Sequence, residues 1–339
     1  MNIQQAIQRV VEGHALTRAE MQDVMRQIMT GACTDAQIGG LLIGLRMKGE
    51  TVDEITAAAE VMGSLASHVH VDAPNLIDIV GTGGDGTSTF NVSTAASFVA
   101  AGAGASVAKH GNRSVSSKSG SADLLEQAGA NLNLQAEQVA RVVERAGVGF
   151  MFAPMHHSAM KYAIGPRKEM AVRTIFNVLG PLTNPAGVKH QVVGVFTASL
   201  TDTIAQVLQH LGSEHALVVH SDDGMDEISI CAPTRVTELN AGKLSTYTVQ
   251  PADFGLNAAP VETIVVGNPA ESLALIDAVL DGEKSPARDI VVLNAGAGIY
   301  VSGLADTLKS GVEMAQVAID DGRAKAAKQA YVSATNEVA

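Results

Sequence analysis

The chain has 339 residues, and its 46% hydrophobic and 17% charged content excludes disordered and fibrous proteins. Aromatic residues make up only 3% and the formal net charge is −12, which favours neither base stacking nor broad contact with a nucleic-acid backbone. Cys33 and Cys231 form no metal-binding pair, and no apolar run is long enough to span a membrane, so we expect a soluble, cytoplasmic protein.

Residues 1–70 carry the start signals of several helices. In a capping box, a side chain at the helix start and one three residues later each satisfy an exposed backbone amide. Three segments have this form: Thr17-x-x-Glu20, Thr34-x-x-Gln37 and Thr51-x-x-Glu54. Because apolar residues at helical spacing follow these signals, we predict a small helical domain over 1–70, without an apolar signal segment at its start.

From about residue 75, short β-branched runs alternate with helical stretches. The predicted strands are 76–80, 105–109, 149–153, 191–196 and 216–220, and the predicted helices include 93–103, 135–146 and 200–211. This alternation is typical of an α/β domain with a central, mostly parallel sheet flanked by helices, which we predict over 71–339. Shorter predicted strands at 226–230, 234–239 and 243–250 suggest an antiparallel extension, and 305–333 is again helical.

A glycine-rich loop, Gly81-Thr-Gly-Gly-Asp-Gly86, follows the first predicted strand. It matches the spacing of the dinucleotide fingerprint, but that fingerprint also needs an acidic residue about 20 positions later to hold a ribose hydroxyl. No Asp or Glu occurs from 86 to 122, and Asp85 within the loop would repel a pyrophosphate. The dinucleotide interpretation is therefore disfavoured, and no P-loop pattern is present.

The acid-free stretch from 86 to 122 has the composition of an anion site. It contains cations at Lys109, Arg113 and Lys118, together with many Ser, Thr and Asn side chains, in a chain with 35 acidic residues. Asn91-Val-Ser-Thr94 opens a predicted helix, where hydroxyls and backbone amides can contact phosphate oxygens. Two such strand-to-helix loops imply a ligand with phosphates at both ends.

An acidic turn, Asp222-Asp-Gly-Met-Asp-Glu227, follows the predicted strand at 216–220. Solvated acids in a turn usually bind nothing, but Mg²⁺ in phosphate-binding proteins is held by one or two carboxylates together with substrate phosphates. We predict that one adjacent acid pair of this turn is a magnesium site. Local chemistry does not say which pair.

A segment around Arg167 has a second set of polar residues. Pro166 is typical of a helix N-terminus, and an Arg on that first turn can bind a carboxylate or phosphate. The alternative is a surface ion pair with Glu169 or Glu144. His156 and His157 are adjacent, so their side chains point apart and a shared metal ion is not expected.

Four separated segments together resemble the anthranilate phosphoribosyltransferase family. They are Gly81-Thr-Gly-Gly-Asp85, Asn91-Val-Ser-Thr94, Lys109-His-Gly-Asn-Arg-Ser114 with Ser116 and Ser117, and Arg173-Thr-Ile-Phe-Asn-x-Leu-Gly-Pro-Leu-Thr-Asn-Pro185. The resemblance spans almost the whole chain. It implies transfer of phosphoribose from phosphoribosyl pyrophosphate to anthranilate in tryptophan biosynthesis, and a homodimer formed through the helical domain with part of 158–190.

The resemblance also implies roles for individual residues. Contacts to phosphoribosyl pyrophosphate fall on Gly81, Gly84, Asp85, Thr89, Asn91, Val92, Ser93, Thr94, Lys109, His110, Gly111, Asn112, Arg113, Ser114, Val115, Ser116, Ser117 and Ser121. Ser93, Asp226 and Glu227 would serve Mg²⁺, which selects the second acid pair of the turn. Asn112, Arg167 and the Gly81 backbone would hold anthranilate by positioning alone, and no covalent or acid–base residue is implied.

Two alternatives remain at this point. A pyrimidine nucleoside phosphorylase shares the two-domain plan and a similar glycine loop, but the segments at 109–113 and 177–185 resemble the transferase. A non-catalytic relative that binds phosphate-rich ligands or nucleic acid is disfavoured by the net charge of −12 and by the acids at 226 and 227.

Overall fold

The computed structural model describes residues 1–84, 86–114 and 118–338. Four helices form the N-terminal bundle: α1 Ile3–Val11, α2 Arg18–Met29, α3 Asp35–Lys48 and α4 Val52–Ser64. The three capping boxes are confirmed, because Thr17, Thr34 and Thr51 each accept the predicted amide hydrogen bond. The bundle shares one hydrophobic core with residues far along the chain, including Ala163 and Phe176.

The rest of the chain forms one seven-stranded sheet. Its strands are β1 Leu76–Gly81, β2 Ser106–Gly111, β3 Val148–Phe152, β4 His190–Gly194, β5 His215–Ser221, β6 Thr234–Asn240 and β7 Lys243–Val249. They lie in the order β3-β2-β1-β4-β5-β6-β7, with the first five parallel and the last two antiparallel. This confirms the predicted fold class and the antiparallel extension.

Helices cover both faces of this sheet. They are α5 Val92–Gly102, α6 Ser121–Gln127, α7 Ala136–Ala146, α8 Ala153–His156, α9 Lys161–Met170, α10 Phe176–Leu179, α11 Leu200–His210, α12 Pro269–Leu280, α13 Pro286–Val301, α14 Leu308–Asp320 and α15 Arg323–Glu337. The predicted C-terminal helix is two helices, because Gly322 adopts a left-handed conformation with φ of 82° between them. No helix in the described ranges is long and apolar enough to cross a membrane.

The predicted strand at 226–230 is wrong. The backbone of Ile228 pairs with the side chain of Asn294 on α13: its amide donates to Asn294 Oδ1, and Asn294 Nδ2 donates to its carbonyl, both at 2.9 Å. A side-chain amide therefore replaces the neighbouring strand. The apolar alternation of this segment reflects burial against α13.

The strand order defines where a ligand can bind. The chain runs from β1 outward through β2 to β3 and then returns to place β4 on the other side of β1. Loops leaving β1 and β4 therefore diverge at their carboxyl ends, which is where open parallel sheets bind ligands. The glycine-rich loop follows β1 at this point.

Candidate functional site

Two glycines and one carboxylate form the centre of this crevice. Gly81 at the end of β1 is the register partner of Gly194 at the end of β4. A Cβ on Gly81 would lie 2.4 Å from Asp226 Oδ2, and one on Gly194 would lie 1.6 Å from the Asp226 carbonyl. The Gly83 amide donates to Asp226 Oδ2 at 2.7 Å. Only residues without a side chain at both strand ends admit Asp226 here.

Lys109 approaches the same crevice from β2. Its side chain is buried, and its Nζ donates to the Ile79 carbonyl at 2.5 Å and to Ser93 Oγ at 3.1 Å. Burial lowers the pKa of Lys109, and attraction to Asp78, Glu227 and Asp226 opposes that effect. Four predicted site residues from three separate segments, Ser93, Lys109, Asp226 and Glu227, are thus brought together.

The acid pair fits a magnesium ion that is held jointly with substrate phosphates. Among the residues described, no group of three or more His, Cys, Asp or Glu side chains could hold a metal alone. A site made of two carboxylates and the Ser93 hydroxyl leaves coordination positions for phosphate oxygens and water, the arrangement that Mg²⁺ prefers. Asp226 can lie at the ends of β1 and β4 because Gly81 and Gly194 have no side chains that would overlap it.

Asp78 is a buried acid that the sequence analysis missed. Its Oδ1 accepts from the His110 amide at 3.3 Å, and its Oδ2 accepts from Asn184 Nδ2 at 2.7 Å. Burial raises the pKa of Asp78 to about 6, although Lys109 and the Asn184 hydrogen bond act in the opposite direction. An acid within an otherwise apolar strand, Leu76-Ile-Asp-Ile-Val80, was the available signal.

The second predicted phosphate loop is held by ion pairs. Arg113 pairs with Asp123 at 3.0 Å and Glu126 at 2.6 Å, and its guanidinium lies 5.5 Å from the centre of the Phe152 ring. The hydrogen bonds to Glu126 and Asp123 raise the pKa of Arg113. Among the predicted contact residues, Asp85, Val115, Ser116 and Ser117 lie outside the described residues.

The exposed side chain of Asn112 accepts from the Arg113 amide at 2.7 Å. The Asn112 carbonyl accepts from Ser121 Oγ at 3.2 Å, which ties the loop to the start of α6. A Cβ on Gly111 would lie 2.4 Å from the same Ser121 oxygen. This close approach explains the glycine at the end of β2.

Thr89 and Asn91 lie on the path from the glycine-rich loop to α5. Thr89 forms an isolated antiparallel bridge with Val265, and the Asn91 side chain bonds Ser119 and Ser272. Sequence reasoning missed the segment from 264 to 272, which carries no motif. The Thr94 hydroxyl is buried and has no hydrogen-bond partner among the described residues.

Arg167 lies in the interior of α9, because the helix begins at Lys161 and Pro166 is inside it. The predicted helix start at Pro166 is therefore wrong. Arg167 is half-buried, with its guanidinium 5.4 Å from the centre of the Phe176 ring. Burial lowers the pKa of Arg167. Within the described ranges, no carboxylate lies within ion-pair distance of Arg167, so the predicted alternative of an ion pair with Glu169 or Glu144 is not formed. Such a cation is suited to an anionic ligand.

His110, in β2, packs against His157, which directly follows α8. The rings of His110 and His157 are 5.0 Å apart, and His110 Nδ1 lies 3.1 Å from the Gly180 carbonyl. Burial lowers the pKa of His110 to about 3 and that of His157 to about 4. Both rings are therefore neutral at physiological pH.

Arg173 joins the glycine-rich loop to the helical bundle. Its guanidinium donates to the Gly84 carbonyl and lies 4.4 Å from the centre of the Phe196 ring. The Arg173 carbonyl in turn accepts from Arg46 on α3. Arg173 was part of a predicted motif, 173–185, but had no predicted role of its own.

Both parts of the chain are similar to known proteins. Family models described as the helical bundle domain and the a/b domain of a glycosyl transferase family match residues 4–66 and 73–325. The anthranilate phosphoribosyltransferase of a Marinomonas species is 63% identical over 327 residues, covering 96% of this chain and 94% of the relative. That of Saccharophagus degradans is 58% identical over 329 residues, covering 96% of each.

Solved structures agree in fold. The crystal structure of anthranilate phosphoribosyltransferase from Thermus thermophilus has a TM-score of 0.93 at 42% identity, covering 98% of this chain and 99% of that one. The Saccharomyces cerevisiae protein, solved in complex with PRPP and Mg, has a TM-score of 0.90 at 25% identity, covering 99% of this chain and 98% of that one.

Proposed function

Because this chain belongs to the anthranilate phosphoribosyltransferase family, we propose that it transfers the 5-phosphoribosyl group from phosphoribosyl pyrophosphate to the amine of anthranilate. The products are N-(5-phosphoribosyl)anthranilate and pyrophosphate, and the reaction is a step of tryptophan biosynthesis. The observation that carries this proposal is the meeting of buried Lys109 with Ser93 beside the acids Asp226 and Glu227. The nucleoside phosphorylase alternative is not favoured, since relatives at 56% to 63% identity are anthranilate phosphoribosyltransferases.

The phosphoribosyl donor would bind across the carboxyl ends of β1 and β2. The glycine-rich loop, the N-terminus of α5 and the loop after β2 supply backbone amides and hydroxyls at this edge. Lys109 supplies a buried positive charge between them. Positive charge in a site with little water binds phosphate more strongly than it would at the surface.

Ser93, Asp226 and Glu227 would hold Mg²⁺ together with the donor. When bound there, the ion neutralises negative charge that develops on the departing pyrophosphate. The Asp226 carboxylate is held in place by the Gly83 amide, at 2.7 Å. This arrangement couples the glycine-rich loop to the metal site.

Anthranilate would be held by its carboxylate. Arg167 is half-buried without an ion-pair partner in the described part of the chain, so an incoming carboxylate would replace its lost hydration. Asn112, at the exposed tip of the loop after β2, and the Gly81 backbone would complete the contacts. The arylamine is neutral at pH 7 and needs no strong base before it attacks.

In the reaction, the amine nitrogen forms a bond to C1 of ribose while the bond from C1 to the pyrophosphate oxygen breaks. Pyrophosphate leaves with that electron pair, and the amine loses its extra proton to solvent. The protein contributes positioning and exclusion of water, which together account for several kcal/mol in well-oriented reactions. A hinge at the segment 70–75 would let the helical bundle close over the donor. The hydrogen bonds from Arg46 to Arg173 and from Arg173 to Gly84 would connect the bundle to the glycine-rich loop during this closure.

A homodimer through the helical bundle is part of the proposal. Val11, Ile43 and Met47 are exposed on α1 and α3 around a groove that Met170 also lines, and Met47 is 82% exposed. A contiguous apolar surface of this kind is typical of an interface. We also propose that this dimer works in the cytoplasm.

The direct test is to mix the protein with anthranilate, phosphoribosyl pyrophosphate and Mg²⁺ and to follow anthranilate fluorescence. The chain has no tryptophan, so its own emission is low. We expect a loss of fluorescence that requires both the donor and the metal. Folded protein that gave no loss, but split a pyrimidine nucleoside in the presence of phosphate, would reverse the assignment.

A further inference from the structure

Asn91 stands at the N-cap position of α5, but its side chain does not cap the helix. Its Oδ1 instead accepts from Ser119 Oγ at 2.7 Å and from Ser272 Oγ at 2.8 Å, and its Nδ2 donates to the Ser119 carbonyl at 3.0 Å. An Asn at this position ordinarily accepts from the amides of the second and third helical residues. Its partners here turn the side chain away from Ser93 and Thr94.

Ser272 comes from a distant part of the chain. It lies in the first turns of α12 and is fully buried, and its hydroxyl also accepts from the Asn91 amide at 3.1 Å. It therefore holds both the backbone and the side chain of Asn91.

The segment 264–266, before α12, is paired through its backbone with the segment 88–90, before α5. The Phe90 amide donates to the Ile264 carbonyl at 3.0 Å, and the Val266 amide donates to the Ser88 carbonyl at 3.1 Å. These bonds make 264–266 a short partner for 88–90. Ser272 is thus positioned over Asn91 by backbone pairing on the preceding residues.

We propose that Ser272 is a positioning residue for donor binding: together with Ser119 it keeps the Asn91 side chain off the N-terminal amides of α5, so that these amides can bind a phosphate group. The proposal rests on the proposed function, since the phosphate is that of phosphoribosyl pyrophosphate. A second observation points to a ligand at the same place. Thr94 is only 1% exposed, and its hydroxyl has no hydrogen-bond partner among the described residues.

Without the Ser272 hydroxyl, the Asn91 side chain keeps its two bonds to Ser119 but loses the third, so rotation to cap α5 costs one hydrogen bond fewer. The cap would satisfy the amides of Ser93 or Thr94 that the donor needs, so donor binding weakens while the helix is not destabilised. A purely structural role for Ser272 predicts the opposite pattern, in which stability falls and the KM for the donor stays unchanged.

The experiment compares Ser272→Ala with Ser302→Ala. Ser302 is also buried, and its hydroxyl likewise donates to one carbonyl and accepts from one amide, but it lies at the end of α13. For Ser272→Ala we expect the KM for phosphoribosyl pyrophosphate to rise about tenfold, the size of one lost hydrogen bond, with the KM for anthranilate within about twofold of wild type. Ser302→Ala should leave both KM values unchanged.

A double-mutant cycle isolates the route through Asn91. In an Asn91→Ala background there is no side chain to cap α5, so Ser272→Ala should add no further change to the donor KM. An equal rise in both backgrounds, or no rise in either, overturns the proposal. If Ser272→Ala does not fold, Ser119→Ala can be used instead, because it removes the other hydroxyl that donates to Asn91 Oδ1. The same changes in the donor KM are expected, and the same results would overturn the proposal. A folded wild-type chain without transferase activity would overturn the proposed function, and this role with it.

Discussion

The carboxylate of Asp226 accepts a hydrogen bond from the Gly83 amide at 2.7 Å, across 143 positions of the chain. This bond ties the turn after β5 to the glycine-rich loop after β1. It places one acid of the proposed magnesium site against the loop proposed to bind the donor. The two halves of the site are therefore built on each other.

Replacing both acids of the site should abolish the response to magnesium. For Asp226→Asn combined with Glu227→Gln, we expect turnover to fall by at least about 100-fold because the leaving charge is no longer compensated. The measurement is initial rate against Mg²⁺ concentration. Asp222→Asn is the matched control, an exposed acid of the same turn, and should titrate like wild type. An unchanged magnesium titration in the double variant would remove these acids from the site.

Adding one methyl group at Gly194 should displace Asp226. A Cβ there would lie 1.6 Å from the Asp226 carbonyl, which is backbone and cannot rotate away. We expect Gly194→Ala to lower the free energy of unfolding by about 1–3 kcal/mol and to weaken donor binding. Gly63→Ala serves as the control, because no atom lies within 4 Å of its added Cβ. Wild-type activity in Gly194→Ala would contradict the close packing described.

Asp78 should make stability fall as pH rises from about 4 to 6. Its pKa is raised from 3.8 to about 6 by burial, so the folded state binds a proton that the unfolded state has lost over this range. Its stabilising contribution is complete below the unfolded pKa and is lost as pH rises through the folded value, a change of about 3 kcal/mol. Asp78→Asn should lack this pH-dependent change in the free energy of unfolding.

The measurement for Asp78 is urea unfolding of wild type and Asp78→Asn at several pH values between 4 and 7. The difference between their free energies of unfolding should change over that interval and level off above it. A difference that is constant with pH would mean that the carboxyl titrates with the same pKa in both states.

Arg167→Ala should raise the KM for anthranilate more than that for the donor. Loss of a charged hydrogen-bonding partner should raise the KM for anthranilate roughly 10- to 100-fold. Steady-state kinetics with each substrate varied in turn separates the two effects. Lys168→Ala, an exposed cation next in sequence, should leave both KM values unchanged. An equal rise for both substrates would show that Arg167 is not specific to the acceptor.

Met47→Glu should dissociate the proposed dimer. A charge placed on the apolar surface formed with Val11 and Ile43 cannot be desolvated without a large cost. Sedimentation velocity should give a dimer for wild type and a monomer for the variant. Val317→Glu alters another exposed apolar residue, 54% exposed on α14, and should remain dimeric. A monomeric wild type would remove the dimer from the proposal.

Local signals predicted much of the fold. The capping boxes at Thr17, Thr34 and Thr51 depend on residues three apart, and each forms as predicted. The strand at 226–230 was wrong because its backbone partner is a side chain, Asn294, that lies 66 positions away. The helix start predicted at Pro166 was wrong because α9 begins earlier, at Lys161, and contains the proline that local preference would put in its first turn.

The sequence by itself determined the starts of α2, α3 and α4 and the alternation that makes a parallel sheet, since each depends on neighbours along the chain. Only the tertiary structure decided that Asp226 reaches Gly81 and Gly194, and that Ser272 turns Asn91 away from α5. These contacts join residues far apart in the chain. Their partners are selected by strand order and packing, which no local spacing encodes.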